Sequence, residues 1–175
     1  MENNQDLNQL NQLNQLNKKK HYAWFVFILS CCFVIFKYVL EISPSVMVKD
    51  LMLEFNLDGL HMGNLAACYF YAYFLMQIPV GLLVDRFSTR KIMFCAILLC
   101  SLGSFIFASS RVFYMAAIGR LIIGIGGAFS MVGTMKLITL WFDRKKFALI
   151  FGLMLAATMI GAIFCQARLS ALVDK

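Results

Sequence analysis

Inside its longest apolar runs this chain carries a few polar side chains whose spacing follows the turn of a helix. In FVIFKYVLEISPS, Lys37 and Glu41 stand four residues apart, so one helix face holds both. In CYFYAYFLMQIPV, Tyr69, Tyr73 and Gln77 repeat at the same interval, a polar stripe on an otherwise apolar element. A third run, GRLIIGIGGAFSMVGTMKL, holds Arg120 and Lys136. A charge at the centre of a membrane helix costs about 2.5–3.5 kcal/mol on the insertion scale, so such residues are candidates for a polar path through the interior. Each also has a structural reading. Lys37 and Glu41 form a self-neutralised pair against a neighbouring helix, the tyrosines anchor at an interface, and Lys136 snorkels to water. Lysine ahead of glutamate is the weaker helical order, so local helix stability does not account for the pair.

The elements that hold these residues are legible from composition. Of 175 residues 61% are hydrophobic and 14% charged, with a mean hydropathy of +0.77. A soluble domain is nearer half apolar and a quarter charged, so the chain belongs in a lipid bilayer. A bilayer core needs about 20 mostly apolar residues per helix. Five segments qualify, at 22–47, 60–84, 92–110, 113–138 and 147–167. They are apolar on every face, which excludes alternating barrel strands. The fold class is all-α and integral to the membrane. Ahead of the spans, residues 1–21 carry the triplet repeat LNQLNQLNQLN, expected to be a disordered, solvated tail.

Basic residues orient the spans. Lys18, Lys19, Lys20, Arg86, Arg90, Lys91, Arg144, Lys145 and Lys146 fall on one side, against Lys49, Arg111, Arg168 and Lys175 on the other. The positive-inside rule puts the N-terminus in the cytoplasm, and with it the hinge between the second and third spans. The net charge of +7 comes from bases scattered between apolar runs, not from a stripe, so nucleic acid is not a partner. Six cysteines lie within apolar runs and need no role beyond packing. His21 and His61 lie outside the spans on opposite sides, with no metal or nucleophile spacing, so an enzyme is not expected and no cofactor or metal is implied. Gly126–Gly127 is not a nucleotide loop, having no strand before it and no Walker lysine after it. With Gly124 and Gly133 these glycines read as sites of close helix packing.

The hinge, GLLVDRFSTRK over residues 81–91, supplies more than orientation. Arg86, Arg90 and Lys91 serve as topology anchors; Asp85, and Gly81 four residues before it, are not explained that way. The pattern G-x-x-x-D-R-x-x-x-R-K resembles the loop between the second and third helices of the major facilitator superfamily of secondary transporters. YFYAYFLMQIPVGLLVDRF, GRLIIGIGGAF and WFDRKKFALIFGL look similar to that superfamily too, and ISPSVM resembles one branch of its bacterial permeases. The likeness covers residues 22–175.

That resemblance implies a fold of two six-helix halves, each built of inverted three-helix repeats. The five spans correspond to an incomplete N-terminal half, so the chain is expected to be inactive alone, its missing C-terminal half being a partner. The resemblance makes Asp85 a latch meeting the N-terminal dipole of a helix in that other half, with Arg90 tying it down and Gly81 allowing close approach. Where the family has glycine in the turn stands Ser88, which a positive φ would strain mildly. Arg120 and Gly124 match the family's R-x-x-x-G motif, associated with coupling or substrate binding. Three embedded bases against one acid favour an anionic or zwitterionic solute (an organic acid, a phosphorylated compound or an amino acid), moved across the bacterial inner membrane with or without a coupling proton or ion. The alternatives are a stand-alone five-span protein with a structural or regulatory role, and one half of a split transporter.

Overall fold

The structure, a computed structural model, describes the backbone of residues 2–55 and 58–173; the side chains of residues 2–21, 50, 54 and 169–173 lie outside the description. Six α-helices follow one another: α1 (Glu2–Val46), α2 (Val48–Glu54), α3 (Gly59–Arg86), α4 (Thr89–Ala108), α5 (Phe113–Trp141) and α6 (Phe147–Val173), with a short 3-10 turn at Arg144–Lys146. No strand occurs among the described residues. Among the described residues five stretches are long and apolar enough to cross a membrane: Tyr22–Val46, Gly59–Arg86, Thr89–Ala108, Phe113–Trp141 and Arg144–Arg168. The expected all-α, five-span architecture is therefore present. The residues expected as a disordered tail, 1–21, fall where the backbone from Glu2 is helical and continuous with α1 and where no side chain is described, so their disorder remains an expectation.

Three spans run further at the hinge end than hydropathy placed them. Arg86 closes α3, Arg90 and Lys91 open α4, and α5 continues to Trp141. Long basic side chains keep their charge in water while the backbone stays helical, so a hydropathy boundary stops short of the helix boundary. Arg90 and Lys91 nevertheless sit in the first turn of α4, where the helix dipole disfavours a cation by about 0.3–1 kcal/mol each. Local helix energetics do not explain them.

The bundle is organised around α5. Its small residues bring two neighbours to backbone distance. A Cβ on Gly126 would lie 2.9 Å from the Ala96 carbonyl and 3.0 Å from the Cys100 nitrogen of α4, and one on Gly119 would lie 2.8 Å from the Phe107 nitrogen. Gly103 of α4 answers from the other side, 2.9 Å from the Gly119 carbonyl. On another face, a Cβ on Gly124 would collide with the Tyr69 carbonyl of α3. Without a hydrophobic effect between helices in lipid, such close contact is what holds spans together. Phe33, Val80, Val84, Met93, Ala96, Cys100, Ala128, Phe129 and Leu137 fill the core between α1, α3, α4 and α5. Phe70, Phe74, Ile78 and Leu82 of α3 form an exposed apolar ridge at four-residue spacing. Lipid is the medium that ridge suits.

Candidate functional site

Five of the singled-out residues converge inside the bundle, from α1, α3 and α5, in the half away from the hinge. The Lys37 ammonium donates to Glu41 Oε2 at 2.5 Å. Tyr69 donates its hydroxyl to the same oxygen at 3.3 Å. Three rings surround that ammonium, with centroids at 4.3 Å (Tyr38), 4.8 Å (Tyr73) and 5.8 Å (Tyr69), all within cation–π range. Arg120, 1% exposed, lies with its guanidinium 5.1 Å from the Tyr69 ring. Gly127 makes room for this cluster: a Cβ there would lie 3.2 Å from the Tyr69 hydroxyl and 3.4 Å from Cγ of Lys37. Gln77 is half-buried and makes no side-chain hydrogen bond among the described residues.

Arg120 is held by a consequence of Pro44. In a helix the N–H of residue 44 bonds the carbonyl of residue 40, and proline has none to give. The Leu40 carbonyl, freed within a span-length apolar helix, accepts from Nη1 of Arg120 at 2.7 Å, while Nη2 donates to the Glu41 carbonyl at 3.3 Å. In lipid such a carbonyl has to be satisfied by protein. Pro44 thus leaves α1 helical as far as Val46 and gives α5 a docking point on it. The remaining guanidinium nitrogen, Nε, is buried with no acceptor among the described residues.

The hinge is a second, separate site. Lys136 lies sixteen residues beyond Arg120 on α5, about 24 Å along the axis. Its ammonium donates to Asp85 Oδ1 at 2.6 Å. The structure therefore corrects two expectations. Lys136 neither lines the interior path nor merely snorkels: it reaches across to α3. Arg90 does not hold Asp85; its guanidinium stands over the rings of Tyr22 and Trp141, at 5.3 and 5.7 Å. The geometry is simple, since Arg90 opens α4 beside the end of α5 whereas Asp85 closes α3 facing Lys136. Arg86 and Lys91 are exposed. Gly81 has open space where a Cβ would point: among the described residues nothing comes within 4 Å of that position. Ser88 has φ −61°, so the turn needs no left-handed residue and is not strained. An open groove of about 460 Å³ is bordered by Asp85, Ser88, Arg90, Lys136 and Trp141. Asp85, its side chain 72% exposed, keeps a face toward that groove free for a further contact.

Among the packing glycines, Gly124 and Gly126 meet backbone, whereas Gly133 meets only the flexible Met93 side chain. Gly103 and Gly119 were not anticipated from sequence. The seven-residue interval Gly119, Gly126, Gly133 was the signal, since it returns to nearly the same helix face. Tyr38 and Trp141 carried no such signal. No group of three or more metal-ligating side chains occurs among the described residues.

Most of the chain beyond the N-terminal repeat is similar in sequence to known proteins. The chain is 26% identical over 125 residues to the nitrate/nitrite transporter NrtP of a Picosynechococcus species, covering 71% of this chain and 22% of that protein. It is 26% identical over 137 residues to the probable galactarate/D-glucarate transporter GarP of Escherichia coli K12, with 74% and 31% covered. To the lysosomal dipeptide transporter MFSD1 of Danio rerio it is 27% identical over 140 residues, with 77% and 30% covered. It spans about a third or less of the length of these curated relatives. No solved structure matches it. Residues 23–174, nearly everything beyond the N-terminal repeat, match the sequence profile of the Major Facilitator Superfamily, and to that family of membrane transporters the chain belongs.

Proposed function

We propose that this chain is the N-terminal portion of a secondary transporter that moves a small anionic or zwitterionic solute across the bacterial inner membrane by alternating access. Its N-terminus and the Asp85 hinge lie in the cytoplasm. The carrying observation is the set Lys37, Glu41, Tyr69, Tyr73 and Arg120, two cations against one carboxylate in the interior of the bundle. Embedded charge is costly and is kept where a pathway needs it. The names of two relatives, for nitrate/nitrite and for galactarate/D-glucarate, agree with a net cationic site.

The hinge takes the role of a conformational latch on this reading. Asp85, already held by Lys136, still presents a free face to a body outside the five helices, and Gly81 faces open space on the same helix. Rocking requires a second body, so the five spans bind solute without carrying it across.

Two measurements test this. Purified chain in detergent micelles is heated with organic anions, amino acids and organic cations. Anions or zwitterions raise the melting temperature and cations alone do not; stabilisation by cations only overturns the assigned solute class. Proteoliposomes holding the chain alone accumulate no labelled solute, and accumulation overturns the two-body mechanism.

A further inference from the structure

The interior cluster also discriminates between the two solute classes, an inference that depends on its being the solute site. Around the Lys37 ammonium stand a carboxylate at 2.5 Å and three tyrosine rings at 4.3, 4.8 and 5.8 Å. That is the set of groups that recognises an organic ammonium ion. A lysine pairing with a glutamate needs no such cage. We propose that Glu41 with Tyr38, Tyr69 and Tyr73 is an ammonium subsite, occupied here by the chain's own Lys37, and that the solute is a zwitterion of the amino-acid or short-peptide kind. The solute's ammonium takes the place of Lys37 in the cage, and its carboxylate is received by the displaced Lys37 and by Arg120.

Charge balance selects this exchange. A simple anion that draws Lys37 away leaves Glu41 unpaired in a low-dielectric interior. A simple cation that enters the cage leaves Lys37 unpaired. Breaking a buried pair from one side is the expensive event; replacing both partnerships at once is not. A zwitterion supplies both counter-charges in one molecule. Glu41 stays compensated by the solute ammonium, and Lys37 by the solute carboxylate. The second observation is Nε of Arg120, a buried donor in a residue 1% exposed that has no acceptor among the described residues. Buried donors of this kind are normally satisfied, and a carboxylate oxygen is the strong acceptor that satisfies a guanidinium. The spacing also suits a small molecule, since positions four apart on a helix lie about 5–6 Å from each other.

The test uses the purified chain in detergent and reads binding by thermal shift and calorimetry. The amino acids and a set of dipeptides are screened, with nitrate and glucarate alongside. The best zwitterion is then compared with analogues lacking one pole: for leucine, 4-methylpentanoate and 3-methylbutylamine. The expected result is a zwitterion bound at least about tenfold more tightly than either analogue. In Glu41→Gln the zwitterion loses that advantage over its deaminated analogue. In Lys37→Met the emptied cage gains affinity for 3-methylbutylamine by about tenfold. Tyr73→Leu weakens the zwitterion about three- to tenfold, and Tyr73→Phe restores most of that loss. If the deaminated analogue, nitrate or glucarate binds as well as any zwitterion, the ammonium subsite is refuted while the transporter reading stands. If no solute of any class binds, both the subsite and the assigned solute site fall. If Lys37→Met does not fold, Glu41→Gln still decides.

Discussion

The partnership of Pro44 and Arg120 makes a prediction that a single substitution does not test. Replacing Arg120 by Met, similar in length and uncharged, removes donors at 2.7 and 3.3 Å from the Leu40 and Glu41 carbonyls. A hydrogen bond from a charged donor contributes about 1.5–3 kcal/mol, and an orphaned buried carbonyl costs about 1–3 kcal/mol. Against this, discharging a buried guanidinium relieves a desolvation penalty of several kcal/mol. The two terms oppose, so the sign of Arg120→Met alone is undiagnostic. Pro44→Ala gives residue 44 an N–H for the Leu40 carbonyl, and its other effects on the backbone cancel in the double-mutant comparison. In that background the carbonyl no longer needs Arg120. Arg120→Met is therefore less costly, or more favourable, by about 1–2 kcal/mol in Pro44→Ala than in the parent chain. The four proteins are compared by reversible SDS unfolding in mixed micelles, followed by circular dichroism. Independent sites add to within about 0.5 kcal/mol. Additivity at that level would mean that Arg120 is placed by something other than the proline gap.

Four further outcomes follow. Gly126→Ala and Gly124→Ala force α5 away from backbone atoms of α4 and α3 and cost about 1–3 kcal/mol, while Gly133→Ala, facing the unbranched side chain of Met93 instead of backbone, costs less. Gly152→Ala, with open space around it, is neutral or stabilising by up to about 1 kcal/mol; melting curves rank all four. Lys136→Met destabilises by less than about 1 kcal/mol, an effect that fades in salt, because the Asp85 carboxylate it serves is 72% exposed; melting temperature against NaCl reads this. In a Trp24→Phe background, Arg90→Ala makes Trp141 more accessible to acrylamide, since the guanidinium lies 5.7 Å from its ring. Alkaline phosphatase fused in the Ser109–Val112 turn is active and fused at Ser88 inactive, and the reverse pattern would invert the proposed topology.

How much of this was readable in the chain depends on the range of the interaction. The five spans were, because an apolar run long enough for a bilayer is a local property, and at the hinge the ends shifted where Arg86, Arg90 and Lys91 kept helical backbone under a charged side chain and where α5 ran on to Trp141. The pairing of Lys37 with Glu41 was readable too, since both lie on one helix one turn apart. The choice of partner between helices was not. Asp85 is followed closely in sequence by Arg86, Arg90 and Lys91, yet its contact is Lys136, fifty-one residues away on a helix that α3 meets through Gly124. Nearness along the chain favoured Arg90; the rotation of α4 about its axis decided otherwise, turning Arg90 toward Tyr22 and Trp141. Arg120 shows an intermediate case. Its motif marked it as important, but Pro44, four residues after Leu40, already announced a carbonyl in need of a donor. A proline inside a membrane span can thus be read as half of a long-range hydrogen bond, with the other half sought among the buried donors of the remaining helices. In this chain that search leads to Arg120, and from there to the carboxylate and rings around Lys37. The backbone defect and the candidate solute site are neighbours because one guanidinium serves both.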